Sequence, residues 1–285
     1  MDLPSFLVIG AQRAGTTLLH EMLAAHPDIF VPTRRKEVHY FDRYYARGRK
    51  WYAGYFPTER AGQQYAAVGE VTPDYLAHPE VPARIHATLP DCRLIAILRD
   101  PVARAFSWYQ YSRRNRGEQR SFESFLADDD SAVEYGRYHK HLSRYWALSP
   151  SHPLLVLLYE DLVVEPCQAA EAVAGFLELN NPFPDLSGLL ARRSNAAIVP
   201  RHRGAFAVAR RLGGYLMRND INWPSRAAKA LGVRAWFGRE AQTPVLDAAT
   251  RSRVSILFTD DAVKLGRVLN RDLIAFWRLD PMFAG

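Results

Sequence analysis

Between the short apolar run Ser5–Gly10 and a stretch with helical spacing lies Gly10-Ala11-Gln12-Arg13-Ala14-Gly15-Thr16-Thr17. Two glycines with four residues between them at a strand-to-helix junction let successive backbone N–H groups and a helix N-terminus converge on an anion. A Walker-type loop follows its second glycine with Lys and then Ser or Thr, which reach a terminal phosphate and magnesium. Here Thr16 stands at the lysine position, and the cation sits within the loop as Arg13. A fork-shaped guanidinium suits a phosphate-like group, whereas the usual lysine for a triphosphate is missing. A second cation comes from Arg99-Asp100-Pro101, which follows the apolar run Arg93–Leu98. Asp100 reads as an N-cap and Pro101 as the first helical residue. In a parallel sheet both strand ends lie at the carboxyl edge, where ligands bind in open α/β folds. Arg99 is therefore expected near the first loop, with Ser107 one to two turns into the helix as a further donor to an anion.

These groups need elements to position them. Ser5–Gly10, Ala66–Val71, Arg93–Leu98 and Leu154–Tyr159 read as buried strands, with Ile29–Pro32 as a second short one. Helices are expected over Thr16–His26, Pro79–Leu89, Pro101 to about Asn115, Ser121–Ala127, Tyr138–Leu148 and Pro166 to about Leu179, with two more over Leu246–Phe258 and Asp261–Trp277. Apolar strands alternating with helices predict an α/β fold, a central parallel sheet flanked by helices on both faces. With no internal repeat and no convincing linker, the 285 residues are read as a single domain.

Composition narrows the class. Hydrophobic residues make up 48% and charged residues 24% of the chain, which excludes a disordered or fibrous protein. The N-terminus lacks a basic n-region and does not read as a secretory signal. No apolar run approaches the roughly 18 residues of a membrane span. Two cysteines, Cys92 and Cys167, are too few for a disulfide framework or zinc site, and a cytoplasmic location is expected. The net charge of +7 suits an anionic partner. Arg201–Arg239 alone carries nine Lys/Arg against the single acid Asp220. Its amphipathic helices around 205–240 are read as an insert that either has solvated basic faces, forms a lid, or lies peripherally on anionic lipid. Charge alone does not make a nucleic-acid binder, and no nucleic-acid motif is present.

The two anion motifs together resemble those of the sulfotransferases that use 3′-phosphoadenosine 5′-phosphosulfate (PAPS). The loop GAQRAGTT is similar to their 5′-phosphosulfate loop, and Leu98–Gln110 to their 3′-phosphate motif, carried by Arg99 and Ser107. KEVHYFD (Lys36–Asp42), GEVTPDY (Gly69–Tyr75), YHKHLSRYW (Tyr138–Trp146), LLYEDLVVEP (Leu157–Pro166) and NRDLIAFW (Asn270–Trp277) extend the resemblance, in order, to the Golgi heparan sulfate sulfotransferase domains and their bacterial relatives. The resemblance implies a P-loop NTPase-like three-layer fold, with PAPS as co-substrate and 3′-phosphoadenosine 5′-phosphate (PAP) as product. It makes Glu37 the general base, with His39 as an orienting group or the base in its place. Arg13 is expected against the bridging oxygen and 5′-phosphate, supported by Gly15, Thr16 and Thr17. Arg203 and Gly204 are candidates for the loop that touches the 3′-phosphate. Two departures stand out: Arg13 replaces the lysine common in the loop, and Val71 replaces the lysine that usually follows the Glu of the E-x-T-P segment.

Sulfuryl transfer needs a base and a cation cluster on opposite sides of sulfur, and no metal. For Glu37 to serve, its pKa should be lifted toward the working pH by partial desolvation or a like charge. An extended segment would put His39 on the same face as Glu37. The acceptor is expected to be a hydroxyl or amine of a carbohydrate, glycolipid or small molecule; its pocket is not legible, although Trp51, Tyr52, Tyr55, Trp108, Tyr109 and Tyr138 include candidate stacking surfaces. The rival readings are a P-loop kinase or other phosphotransferase and a non-catalytic nucleotide- or anion-binding module.

Overall fold

The apolar run Phe6–Gly10 forms strand β1, joined by the glycine loop to helix α1 (Thr16–Ala25), and β2 (Ile29–Phe30) follows. The computed structural model describes residues 3–33, 35–57, 65–191, 198–200, 238–240 and 244–279. Short helices α2 (Tyr40–Arg43) and α3 (Gly48–Ala53), with a 3₁₀ turn between them, lead to β3 (Ala67–Val71). Next come α4 (Val81–Thr88), β4 (Arg93–Leu98), α5 (Pro101–Arg116), α6 (Phe122–Asp128), α7 (Asp130–Glu134) and α8 (Tyr138–Trp146). The chain continues through β5 (Leu154–Leu158), α9 (Tyr159–Val164), α10 (Pro166–Phe176) and α11 (Ser187–Ala191). A small antiparallel ribbon, β6 (Ile198–Pro200) with β7 (Gly238–Glu240), precedes α12 (Ala248–Leu269) and α13 (Leu273–Phe276).

The main sheet is parallel throughout, in the order β2-β3-β1-β4-β5. Side chains alternate across a strand, and both faces are apolar here. Leu7, Ile9, Leu94, Ala96 and Leu98 face one core, shared with α4, α5, α8 and α12. Phe6, Val8, Ile95 and Ile97 face the other, shared with α1 and α10. Covering both faces explains why β1 and β4 read as unbroken hydrophobic runs. It also sends their carboxyl ends, at Gly10 and Arg99, to one edge.

Two expectations change. Leu154–Tyr159 was expected as a buried strand, but β5 is the sheet edge, and Leu154, Leu155 and Val156 are only partly buried. The C-terminal pair of helices is instead one long helix, α12, followed by the single turn α13. Thr259-Asp260-Asp261 reads as a break yet serves the packing. The Thr259 hydroxyl donates back to Ser255 O at 3.1 Å. The Asp261 carboxylate accepts the N–H groups of His139 and Lys140 at 2.8 and 3.0 Å, capping α8 from another helix. The helix stops at Asn270, whose φ of +50° is the left-handed C-cap conformation. The basic insert around 205–240 lies outside the described residues apart from β7.

Candidate active site

The glycine loop closes over the end of β1, and Gly15 begins α1 with φ +96°. A side chain there would be strained, and its Cβ would fall 2.3 Å from Tyr159 Cδ2. No side chain caps α1, so its first-turn N–H groups, which lack intrahelical acceptors, point into the loop as anion donors. Thr16 is buried and Thr17 exposed at the mouth. Ala14 is buried, packing the loop onto the core. The Gln12 amide does not turn to this cradle: it donates to Asp74 Oδ1 at 2.8 Å, tying the loop to the segment after β3.

The second motif meets the first directly. Arg13 Nε donates to Ser107 Oγ at 3.2 Å, and its guanidinium lies over the Tyr111 ring, 5.2 Å from the centroid. Arg99 Nη1 reaches Arg13 O at 3.5 Å and stacks on Tyr159 at 4.9 Å. Arg13 is held by burial, and by the nearby charges of Arg114, Arg99 and Arg104, with its pKa lowered. Several guanidiniums crowded into a partly desolvated corner fit a polyanion. The N-terminus of α5 contributes less than its place at the edge suggests. Asp100 accepts from Val102 N and Ala103 N at 2.9 and 3.3 Å, so the cap consumes the donors. The groups of this motif that could still meet an anion are the side chains of Arg99 and Ser107. The dipeptide Arg99-Asp100 is gripped from three sides: Tyr138 OH donates to Arg99 O at 2.8 Å, Asp100 N donates to Glu160 Oε1 at 2.9 Å, and Arg251 pairs with Asp100 at 2.7 Å.

Across the loop mouth stands the KEVHYFD segment. His39 is not extended: its φ is +58°, in the left-handed region. The turn nonetheless brings its ring between two carboxylates. Nε2 lies 3.4 Å from Glu37 Oε2, and Nδ1 is 2.9 Å from Asp42 Oδ2. Burial disfavours the imidazolium, but the hydrogen bonds to Asp42 and Glu37 outweigh it and raise its pKa to about 9. With that raised pKa the ring serves as a hydrogen-bond donor to the carboxylates on either side. Glu37 also departs from expectation. Burial pushes its carboxyl up, but the His39 hydrogen bond and the charges of Lys36, His39 and Arg43 hold it below the usual range. Its side chain is 38% exposed. Arg35 makes no ion pair with it, donating instead to Glu37 O at 3.3 Å and to Tyr55 OH at 3.2 Å. Lys36 does, at 3.8 Å from Glu37 Oε1, while its Nζ donates to Thr17 Oγ1 at 2.9 Å.

Beneath this segment Glu70 is fully buried and accepts from Tyr52 OH, Thr72 Oγ1 and Tyr75 OH at 2.6, 2.8 and 3.0 Å. Thr72 Oγ1 in turn accepts His39 N at 3.4 Å, and Tyr75 OH accepts Phe41 N at 3.3 Å. The E-x-T-P segment thus holds the backbone of the KEVHYFD segment at His39 and Phe41. Asp42, Lys36 and Asp74 were missed from the residues alone; for Asp42 the i,i+3 spacing from His39 on a helical turn was the available signal.

His39, Asp42 and Asp74 bring one ligand atom each within 4.8 Å of one another. They do not make a fitting metal site. His39 carries its proton, and the Asp74 oxygens are taken by Gln12 and by Arg43 at 2.5 Å. Beside them opens a cavity of about 580 Å³, lined on one side by Asp42, Arg43 and Asp74 and on the other by Glu134, Lys140 and Arg144. Of the aromatics singled out, Tyr52, Trp108, Tyr109 and Tyr138 are core, while Trp51 and Tyr55 are partly exposed. Arg203 and Gly204 lie outside the described residues.

A parallel α/β sheet with an uncapped glycine loop and a second arginine motif at the same edge is the architecture of a protein that can hold an anionic group there. Residues 3–189 match the sulfotransferase domain family, and the chain belongs to that family. It is 37% identical over 193 residues to heparan sulfate glucosamine 3-O-sulfotransferase 3B1 of Mus musculus, an alignment covering 65% of this chain and 48% of that protein. It is 38% identical over 138 residues to the membrane-associated sulfotransferase kil1 of Dictyostelium discoideum, covering 46% and 29% respectively. The chain thus spans about half the length, or less, of these curated relatives. The fold is shared with the crystal structure of a sulfotransferase from Alicyclobacillus acidocaldarius, at TM-score 0.70 and 22% identity, covering 98% of this chain and 100% of that one. Among the described residues, no helix is long and apolar enough to cross a membrane.

Proposed function

We propose that this chain transfers the sulfuryl group of PAPS to a hydroxyl or amine of a carbohydrate, glycolipid or small-molecule acceptor by in-line displacement. The observation that carries this reading is the contact of Arg13 with both Ser107 and Arg99 on one side of the loop mouth, with Glu37 on the other. Arg99 and Ser107 would take the 3′-phosphate, and the α1 N-terminus with Thr16 and Thr17 the 5′-phosphosulfate. The acceptor O–H gives its proton to Glu37 as its oxygen bonds to sulfur. The bond from sulfur to the bridging oxygen breaks, leaving that electron pair on the 5′-phosphate of PAP. Glu37 needs no raised pKa to act in this way, because it is already ionised, and the proton moves only as the acceptor oxygen becomes acidic in the transition state. His39, protonated and anchored by Asp42, orients the Glu37 carboxylate.

The polar cavity beside Asp42 and Arg43 is the acceptor side on this reading. Its mixture of cations and acids suits a hydroxyl-rich molecule better than an apolar one. The printed names of two groups of relatives point the same way, since they act on heparan sulfate glucosamine. The test is calorimetry combined with turnover. PAP should bind without magnesium and more tightly than ATP, as a phosphotransferase would not require. Glu37→Gln should lose roughly 100-fold or more in PAPS turnover while keeping PAP affinity. Equal loss of both would make Glu37 structural, an unchanged rate would remove Glu37 as the base, and PAP binding without any wild-type turnover would leave only a binding module.

A further inference from the structure

Arg13 and Glu37 have different partners. Arg13 turns toward α5, where it bonds Ser107, covers Tyr111 and has Arg114, Arg99 and Arg104 as its charged neighbours. The charged neighbours of Glu37 are Lys36, His39 and Arg43. On a sulfotransfer reading, Arg13 therefore serves the phosphate end, and the reacting sulfur needs a different cation. The group between the loop and the base is Lys36. Its ammonium is 2.9 Å from the hydroxyl of Thr17, the second residue of α1, and 3.8 Å from Glu37 Oε1. Its side chain is 25% exposed, and burial lowers its pKa.

We infer that Lys36 is a catalytic residue, contacting the sulfuryl oxygens and taking the place of the lysine that Thr16 displaces from the loop. A Walker lysine reaches the terminal group from the first turn of its own helix. Here the first turn offers two threonines, and the cation is delivered to the same spot by the neighbouring base segment. The inference rests on the proposed sulfuryl transfer. It gives the transferring group a compact point charge with three donors, which suits three sulfuryl oxygens better than a planar fork. The Lys36–Glu37 pair also has a use. It neutralises the base's charge against an incoming anionic donor, and it loosens as soon as the sulfuryl oxygens compete for the ammonium. A merely structural ion pair this open to solvent contributes little to stability, so Lys36 variants should fold.

The experiment follows PAP release from PAPS by the full chain, with water as the acceptor, beside PAP affinity by calorimetry. Lys36→Met should slow release by about 100-fold or more and leave PAP affinity within about twofold, because PAP lacks the group Lys36 touches. Lys36→Arg should recover part of the rate, and Thr17→Val, which removes the hydroxyl that parks the ammonium, should show a smaller loss. A Lys36→Met rate close to wild type overturns the assignment. So does a parallel fall in PAP affinity, which would make Lys36 part of the nucleotide site. Wild-type protein that binds neither PAP nor PAPS overturns the sulfotransfer reading itself, a result distinct from either of those.

Discussion

A histidine fixed between two carboxylates makes the base segment sensitive to alkali. His39 has its pKa raised from 6.5 to about 9, so its stabilising contribution is full below pH 6.5 and is lost as pH rises through about 9. Asp42 is shifted the other way, because the His39 hydrogen bond outweighs its burial. Its contribution is present above its ordinary value of 3.8 and is lost as pH falls below that. The triad should therefore stabilise the fold most between about pH 4 and 6.5. Thermal midpoints measured from pH 5 to 10 should decline on the alkaline side, by an amount worth at most about 3 kcal/mol. His39→Asn should flatten that decline. A wild-type curve with no alkaline decline would contradict the raised pKa. At this scale Glu37 and His39 were legible because a motif carries them. The contacts of Lys36 with Thr17 and of Asp74 with Gln12 and Arg43 were not, since they cross between segments distant in sequence. Neither shows in spacing.

The elements around the site place two demands on single residues. Gly15 must be glycine: an added methyl would strain a φ of +96° and press on the ring of Tyr159, which supports Arg99. Gly15→Ala should cost roughly 1–3 kcal/mol of stability and weaken PAP binding, read by chemical denaturation and calorimetry. Asp261 caps α8 from α12, so Asp261→Ala should cost about 1 kcal/mol without altering PAP affinity. Most elements followed from apolar runs and caps, β4 over Arg93–Leu98 and the Asp100-Pro101 start of α5 above all. The failures have a common cause. Asp261 was read as the start of a separate helix, although it lies inside α12 and its carboxylate's partners are 121 and 122 residues away in sequence. The short helices α2 and α3 are stabilised by aromatic packing, such as Tyr40 stacked on Tyr52 at 4.2 Å, and not by any pattern of their own.

For the whole molecule, the doubly covered sheet is the part most readily read from sequence, because burying both faces leaves no alternation to disguise its strands. The polar cavity beside Asp42 and Arg43 is the least legible, since its walls come from α2, the segment after β3, α7 and α8. If the arginine corner is the nucleotide site, PAP at a hundred times its dissociation constant should stabilise the fold by about 2.7 kcal/mol. That corresponds to a melting shift of roughly 5–10 °C in a chain of this size, and adenosine, lacking phosphates, should give none.

The three-sided grip on Arg99-Asp100 has a mechanical corollary. Arg251 near the start of α12, Glu160 in α9 and Tyr138 in α8 all hold the dipeptide whose side chain would meet the ligand. Occupancy at the sheet edge would then damp fluctuations some 150 residues further along the chain, and deuterium uptake in the first turns of α12 should slow when PAP is added. Arg251→Met should uncouple that response while leaving the loop's own protection intact.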